Sequence, residues 1–374
     1  RMIEFINDGL MTIFFLLVGL EIKRELLVGE LSSFRKAALP FIAACGGMLF
    51  PVIVYMSICP PGSAGSQGLA IPMATDIAFS LGVLSLLGSR VPLSLKIFLT
   101  AFAVVDDIGG ILVIALFYSS HVSYGYILIA ALLYVLLYFI GKRGTTNKIF
   151  FLVIGVVIWY LFLQSGIHST ISGVILAFVI PAKPRLDVGK YIEHIRHTIA
   201  GFPVVESGSI VLTNEQIAKL KEVESASDRV ISPLQSLEDN LHGAVNYLIL
   251  PLFAFVNAGV VFSGGGELVG SVGMAVAAGL LFGKFAGIYF FTWLAIKIKL
   301  TPMPPGMTWK NLSGIALLGG IGFTVSLFIA NLSFGANYPV LLNQAKFGVL
   351  SGTILSGLLG YIVLRIVLPV RKRK

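Results

Sequence analysis

Three aspartates and one lysine lie where a charged side chain is costly. Of the 18 acidic residues, only Asp76, Asp106 and Asp107 fall well inside long apolar runs, and Lys284 is the one Lys or Arg placed equally deep. A charge near the centre of a bilayer costs at least about 2.5–3.5 kcal/mol. Carboxylates are hard oxygen ligands suited to a small hard cation, and burial favours their protonated form. A proton and a cation would therefore compete for the same oxygens, which couples their fluxes if the site faces one side at a time.

Asp106 and Asp107 are successive, so on a helix their side chains point about 100° apart. We expect one to face Lys284 and the other to face a water-filled cavity. The alternative role for Lys284 is a buried ion pair that only fixes helix register.

Other functions of membrane aspartates fit the sequence less well. An intramembrane aspartyl protease would need a GxGD motif, but Val104 and Val105 precede the two aspartates. A cation channel needs a filter rather than a carboxylate site balanced by lysine, and a sodium-coupled solute symporter needs a larger substrate pocket. We expect a transporter and not an enzyme.

The composition predicts that lipid is the solvent for most of the chain. Of its 374 residues, 56% are hydrophobic and 12% are charged, which would leave a soluble fold with large exposed apolar patches. The net charge of +9 comes from short loops rather than one basic face, so no nucleic-acid partner is expected. Eleven apolar runs are predicted to cross a bilayer about 30 Å thick. They are 3–22, 38–58, 68–88, 94–118, 124–141, 148–164, 166–181, 243–263, 271–296, 311–334 and 346–369.

Basic residues occur in alternate loops, as expected when cytoplasmic loops hold most Lys and Arg. Eleven crossings that start outside and end inside fit every loop, and the chain closes on the basic residues 371–374. This predicts membrane helices in 1–181 and 243–374, a polar cytoplasmic loop at 182–242, and a cytoplasmic C-terminus. Within this linking or regulatory loop, Thr213 is expected to cap a helix through Lys221, and Ser232 with Pro233 to begin the next helix.

Two of the runs are interrupted near their middle. Pro72 lies shortly before Thr75 and Asp76, and the later run contains glycines at 319, 320 and 322. Each is the second of three runs, in 38–118 and in 271–369. Paired interruptions in corresponding positions indicate an inverted-repeat transporter, and the half-helix ends that they leave carry partial charges that Asp76 and Lys284 can neutralise.

Seven stretches of the sequence resemble the bacterial NhaA-type sodium/proton antiporters, and the resemblance covers nearly the whole chain. Transporters of this type are among those that are built from inverted repeats. The resemblance implies two broken helices that cross, electrogenic exchange of sodium or lithium for protons, activation at alkaline pH, and a role in pH and sodium homeostasis. The stretches are FFLLVGLEIKREL (14–26), AIPMATDIAFSLGVLSLLGSRVPLSLKIFL (70–99), VVDDIGGI (104–111), SGIHSTISGVI (165–175), LPLFAFVNAGV (250–260), GLLFGK (279–284) and GIGFTVSLFIA (320–330).

The resemblance also implies roles for individual residues. Asp107 matches the central ion-binding aspartate, and Asp106 matches the neighbour that pairs with the lysine at position 284. Both aspartates are thus the expected sodium and proton ligands. Thr75 and Asp76 match the threonine and aspartate at the first helix break. We expect both to contribute to the ion- and proton-binding site, with Asp76 more a partner of helix ends than the main ion ligand.

A second group of residues matches the family's pH-response cluster, formed by Glu21, Arg24, Glu25, Glu238 and His242. From the residues alone, Glu21 and Glu25 lie one helical turn apart and form a like-charge pair relieved by Arg24 and Lys23. Plain interfacial salt bridges therefore stay an alternative for this group. Asp239 stands where the family pattern leads us to expect a histidine beside Glu238, so we expect a different pH set point.

Partners and location follow from the same resemblance. We expect a multi-pass protein of the bacterial inner membrane that moves sodium or lithium ions and protons without a cofactor. The first residue aligns with the start of the family's second spanning helix, and the hairpin that supports dimerisation precedes that point. A homodimer is therefore left open.

Overall fold

The computed structural model describes residues 5–118, 122–145, 147–183, 188–202, 213–260, 269–335 and 337–369, and all regular structure in these ranges is helical. A π-helical turn at Phe5–Leu10 leads into the first α-helix. The α-helices are α1 (Met11–Val28), α2 (Phe34–Ile58), α3 (Ile77–Ser85), α4 (Leu93–Phe117), α5 (Tyr124–Lys142), α6 (Lys148–Ser165), α7 (Thr170–Val179), α8 (Val188–Ala200), α9 (Asn214–Val230), α10 (Pro233–Ala244), α11 (Leu250–Asn257), α12 (Ser271–Ala278), α13 (Lys284–Lys297), α14 (Trp309–Leu318), α15 (Phe323–Phe334) and α16 (Pro339–Val367).

Every predicted apolar run contains helix, which confirms the all-α membrane fold. Among the described residues, 6 helices are long and apolar enough to cross a membrane, or up to 8 if each of two bent pairs is one span. These eight are α2, the first bent pair, α4, α5, α6, the continuous segment Ser271–Lys297, the second bent pair and α16. Helix α1 is not among them because Glu21, Lys23, Arg24 and Glu25 lie within it. The predicted total of eleven crossings also includes the short α7 and the segment around α11, and it stays a prediction.

Both interrupted runs are bent in the structure. The first consists of two 3₁₀ turns, Ala64–Gly68 and Ile71–Met73, followed by α3 at an angle of 46°. Helices α14 and α15 form the second and meet at 44°. Residues 74–76 and 319–322 link the halves, so the breaks fall where Pro72 and the glycines predicted them.

The polar segment 182–242 contains more helix than expected. Its first helix is α8, and α9 begins after the cap at Thr213 but continues to Val230 rather than ending at Lys221. Ser232 caps α10 through the backbone N–H of Gln235, as predicted. Helix α10 runs on past residue 242 through a π-helical turn into α11, and the cytoplasmic loop at 182–242 stays a prediction. The closing basic residues 371–374 lie outside the described residues.

Glycines bring α2 and α13 into direct backbone contact. A Cβ added at Gly287 would lie 2.0 Å from the carbonyl oxygen of Gly46, and one at Gly283 would lie 2.6 Å from Cα of Pro51. Neither position has room for a larger residue. A π-helical turn at Gly279–Gly283 immediately precedes Lys284, and such turns often occur at functional sites. This close packing fixes the position of Lys284 in the protein interior.

Two buried apolar clusters flank the breaks. One contains Ile71 and Phe328, and the other contains Phe102 and Ile321. On the outside, large apolar side chains such as Leu116 are exposed along the helices. A surface of this kind is stable against lipid, and the charged groups of the interior lie between the two clusters.

Candidate functional site

The two broken spans face each other at their breaks and exchange hydrogen bonds. The backbone N–H of Asp76 donates to the carbonyl of Ile321 at 2.6 Å. Ser80 Oγ donates to the carbonyl of Leu318 at 3.0 Å, and Ser326 Oγ donates to that of Ile71 at 2.7 Å. Backbone groups freed by the breaks thus find partners on the opposite span, which irregular backbone inside a membrane protein requires.

Asp76 joins the N-termini of two helices. Its carboxylate accepts a hydrogen bond from the backbone N–H of Phe79 at 3.1 Å, which caps α3. The other carboxylate oxygen accepts from the backbone N–H of Thr324 at 3.1 Å and from its hydroxyl group. Thr324 lies in the first turn of α15. A carboxylate is therefore placed where two positive helix ends converge.

Lys284 links the C-terminal end of α14 to α4. Its Nζ donates to Asp106 Oδ2 at 2.6 Å and to Thr75 Oγ1 at 2.9 Å. The hydroxyl of Thr75 in turn donates to the carbonyl of Gly319 at 2.8 Å, where α14 ends. The ammonium group also lies 5.6 Å from the ring centroid of Phe102, a distance at which the ring stabilises a cation.

Two carboxylates next to this ion pair keep oxygen atoms without a protein partner. Oδ1 of Asp106 is buried and accepts no hydrogen bond from the described residues. Asp107 follows it on α4, is 7% exposed, and has no hydrogen-bond partner within the described part of the chain. Acceptor oxygens of this kind on successive residues suit a small hard cation or protons.

The structure thus brings five of the predicted residues together at the helix crossing. We call Thr75, Asp76, Asp106, Asp107, Lys284 and Thr324 the crossing site. Sequence reasoning did not assign Thr324 a role. The available signal was a threonine directly after the Gly-Gly-Ile-Gly break, where a helix N-terminus needs a partner.

The remaining predicted residues form a separate group between α1 and α10, which we call the carboxylate–histidine cluster (Glu21, Arg24, Glu25, Glu238 and His242). Arg24 Nε lies 2.8 Å from Glu238 Oε1, and Arg24 Nη1 lies 3.1 Å from Glu25 Oε1. His242 Nε2 lies 3.2 Å from Glu21 Oε1 and 3.9 Å from Glu238 Oε1. All five side chains therefore belong to one network.

Lys23 does not join this network, contrary to the expectation that it relieves the repulsion between Glu21 and Glu25. Its Nζ donates to the carbonyl of Phe178 at 2.8 Å and to that of Ile180. These carbonyls lie at the C-terminal end of α7, where a basic side chain satisfies groups without helical partners. Arg24 is consequently the cation that balances the carboxylates of the cluster.

Comparison with known proteins points to one family of transporters. The sequence profile described as Na+/H+ antiporter 1 matches residues 1–364. Na(+)/H(+) antiporter NhaA of Bacteroides fragilis is 82% identical over 99% of this chain and 85% of its own length. Proteins of the same name from Phocaeicola vulgatus and Porphyromonas gingivalis are 64% and 48% identical, over 98% and 100% of this chain and 82% and 84% of their own lengths.

Proposed function

Because the chain belongs to the Na+/H+ antiporter 1 family, we propose that it exchanges sodium or lithium ions for protons at the crossing site. The family assignment confirms that the chain is a transporter and not an enzyme. Asp107 and Asp106 are the proposed ligands of both the cation and the protons. Thr75, Asp76 and Lys284 hold the broken helices around them.

One observation carries this proposal. Asp106 Oδ1 is buried and receives no hydrogen bond from the described residues, and the neighbouring Asp107 is only 7% exposed, while Asp106 Oδ2 is held by Lys284 at 2.6 Å. A buried carboxylate that has no partner must bind a proton or a cation, because an isolated negative charge in an apolar interior is strongly unfavourable. Competition between the two occupants couples their movements.

The number of carboxylates supports electrogenic exchange. If Asp106 and Asp107 each carry one proton in one state and share one sodium ion in the other, two protons move for each sodium ion. One net charge then crosses the membrane in each cycle. A membrane potential therefore drives sodium out of a cell that is negative inside.

The carboxylate–histidine cluster is the proposed site of activation at alkaline pH. It connects α1 to α10, and Val18 and Ile22 of α1 pack against Val104 of α4, three residues before Asp107. A change of protonation in the cluster can shift α1 and so reach the crossing site. We place the protein in the bacterial inner membrane with a cytoplasmic C-terminus, where such a response serves pH and sodium homeostasis.

Everted membrane vesicles test the proposed exchange directly. With a proton gradient established first, added sodium or lithium should collapse the gradient in vesicles that carry the complete protein and not in vesicles without it. If exchange moves net charge, charge build-up across the membrane slows it. Short-circuiting the membrane potential should then make the collapse faster. Sodium uptake that moved no protons, or that required an organic solute, would contradict the proposal and favour a symporter.

A further inference from the structure

We propose that Glu21, Glu238 and His242 of the carboxylate–histidine cluster bind one divalent transition-metal ion of the zinc class, and that the bound metal inhibits exchange. One imidazole and two carboxylates from two helices would supply three ligands, with water completing the site. The binding step does not depend on the proposed function, whereas the inhibition rests on it.

The geometry of the three side chains fits such an ion. Their ligand atoms all lie within 4.8 Å of one another, and His242 Nε2 is 3.2 Å from Glu21 Oε1. In a tetrahedral zinc site with bonds of about 2.0–2.1 Å, ligand atoms are separated by roughly 3.4 Å. Small side-chain rotations, mainly of the exposed His242, are enough to reach that separation. Imidazole with carboxylate selects zinc-class ions over calcium or magnesium, which prefer oxygen alone.

A buried carboxylate oxygen without a partner gives independent support. Glu238 is 4% exposed, and its Oε1 is held by Arg24 at 2.8 Å. Its Oε2 is buried and receives no hydrogen bond from any described residue. Such an atom is costly unless something binds it. The Glu238 carboxylate thus has an oxygen without a partner and also lies 3.9 Å from His242 Nε2 through Oε1, so it can bind a metal ion while it keeps its bond to Arg24.

The charge of the cluster matches a divalent ion. Metal ions bind deprotonated ligands. With Glu21, Glu25 and Glu238 ionised, Arg24 positive and His242 neutral, the cluster carries a net charge of −2. Lys23 does not alter this balance, since its ammonium group contacts the end of α7. A divalent cation neutralises the cluster, whereas sodium would leave one negative charge. The side chain of His242 is 44% exposed, so an ion can enter from solvent.

Inhibition follows from where the ligands lie. Glu21 belongs to α1, whereas Glu238 and His242 belong to α10. A metal bridge ties the two helices together, and α1 packs against α4 through Val18, Ile22 and Val104. Movement of α1 relative to α10 during the transport cycle would then be blocked.

Binding can be measured on the purified full chain in detergent with zinc sulfate as the probe, using a competing chromophoric chelator and a purification tag without histidines. We expect one ion bound per chain. His242→Ala should weaken binding more than about 100-fold, because loss of an outer-shell partner alone costs about 10- to 100-fold. His194→Ala is the matched control, since His194 lies 3.5 Å from Glu222 in an exposed pair that has no third candidate ligand among the described residues. This variant should bind zinc like the unmodified chain.

Inhibition is measured as the ratio of exchange with and without zinc in everted vesicles. That ratio should be well below one for the unmodified chain and for His194→Ala, and it should be near one for His242→Ala. Equal zinc affinity in all three proteins, or no bound zinc in the unmodified chain, would overturn the site. Bound zinc with unchanged exchange would overturn the inhibition alone, and absent exchange in every protein would count against the proposed function while leaving the binding result intact.

Discussion

The crossing site and the carboxylate–histidine cluster both place carboxylates beside a cation, but they differ in exposure to water. The side chains of Lys284 and Asp106 are both 0% exposed, whereas those of Arg24 and His242 are 35% and 44% exposed. Removing one partner of a buried pair leaves an uncompensated charge, which is strongly destabilising. A pair whose cation reaches water, such as Arg24 with Glu238, is screened and contributes less than a fully buried pair. On the proposed function, we therefore expect the crossing site to determine whether exchange occurs and the cluster to determine at which pH.

The largest difference between the two regions is expected from removing the charge of Asp107. Asp107→Asn keeps the shape of the side chain but can no longer exchange a proton for a cation, so sodium-driven collapse of a proton gradient in everted vesicles should fall to background. Asp239→Asn makes the same chemical change at an exposed position of α10 and should retain exchange. Intact exchange in Asp107→Asn would remove this residue from the mechanism.

Breaking the buried ion pair should mainly affect stability. Lys284→Met leaves Asp106 without its cation, and the expected loss is roughly 3–5 kcal/mol in the free energy of unfolding. This loss can be followed by denaturation in mixed detergent. Combining it with Asp106→Asn removes the unpaired charge and should recover a large part of the loss.

The same variants separate the two roles considered for Lys284. A protein that folds poorly but still exchanges sodium for protons would show that Lys284 only fixes helix register. Loss of exchange in the folded fraction would support its place in the ion site.

A smaller effect is expected at the junction of the helix N-termini. Thr324→Val removes the hydroxyl group that donates to Asp76 and keeps the backbone N–H bond, at a cost of about 1.5–3 kcal/mol for a hydrogen bond to a charged group. Thr292→Val is the matched control, because the buried hydroxyl of Thr292 has no partner among the described residues. Unfolding measurements on both variants should show a loss of stability only for Thr324→Val. Equal stabilities would mean that Asp76 does not depend on the hydroxyl.

The smallest effect is expected in the cluster, as a shift of the pH profile. Glu238→Gln removes a negative charge that faces Arg24 and His242, in a group that also contains Glu21 and Glu25. In the proposed response, the inactive state of the cluster carries one proton more than the active state. Without the negative charge of Glu238, that proton binds less tightly and leaves at lower pH. Half-maximal exchange should therefore move to lower pH by roughly half to one unit, equivalent to about 0.7–1.4 kcal/mol. An unchanged profile would favour plain interfacial salt bridges.

Sequence alone predicted the helices and the buried charges of the crossing site, because the signals there are local, whereas the members of the carboxylate–histidine cluster were predicted from the family resemblance. Apolar runs, the caps at Thr213 and Ser232, and the breaks after Pro72 and at the glycines each depend on a few neighbouring residues. Contacts between distant segments are harder to predict. The partner of Lys23 is a carbonyl more than 150 residues away in sequence, as the bond to Ile180 at a separation of 157 illustrates, and only the packing of α1 against α7 determines it.

The link between Asp76 and Thr324 has the same character, since it spans 248 residues. Charge and burial predicted that Asp76 would meet helix ends, but they did not say which ends. The end of α9 at Val230 was missed for a different reason. Its second half is mostly polar, with only Val223, Ala226 and Val230 apolar, so the apolar signal for a helix is weak there.

Competition between sodium and protons is tested most directly by proton release from the purified chain. Titration calorimetry with sodium chloride, repeated in buffers of different ionisation enthalpy, gives the number of protons released per sodium ion bound. We predict that sodium binding releases protons in the unmodified chain and that Asp107→Asn abolishes both binding and release. Sodium binding without proton release, or unchanged release from Asp107→Asn, would contradict a shared carboxylate site.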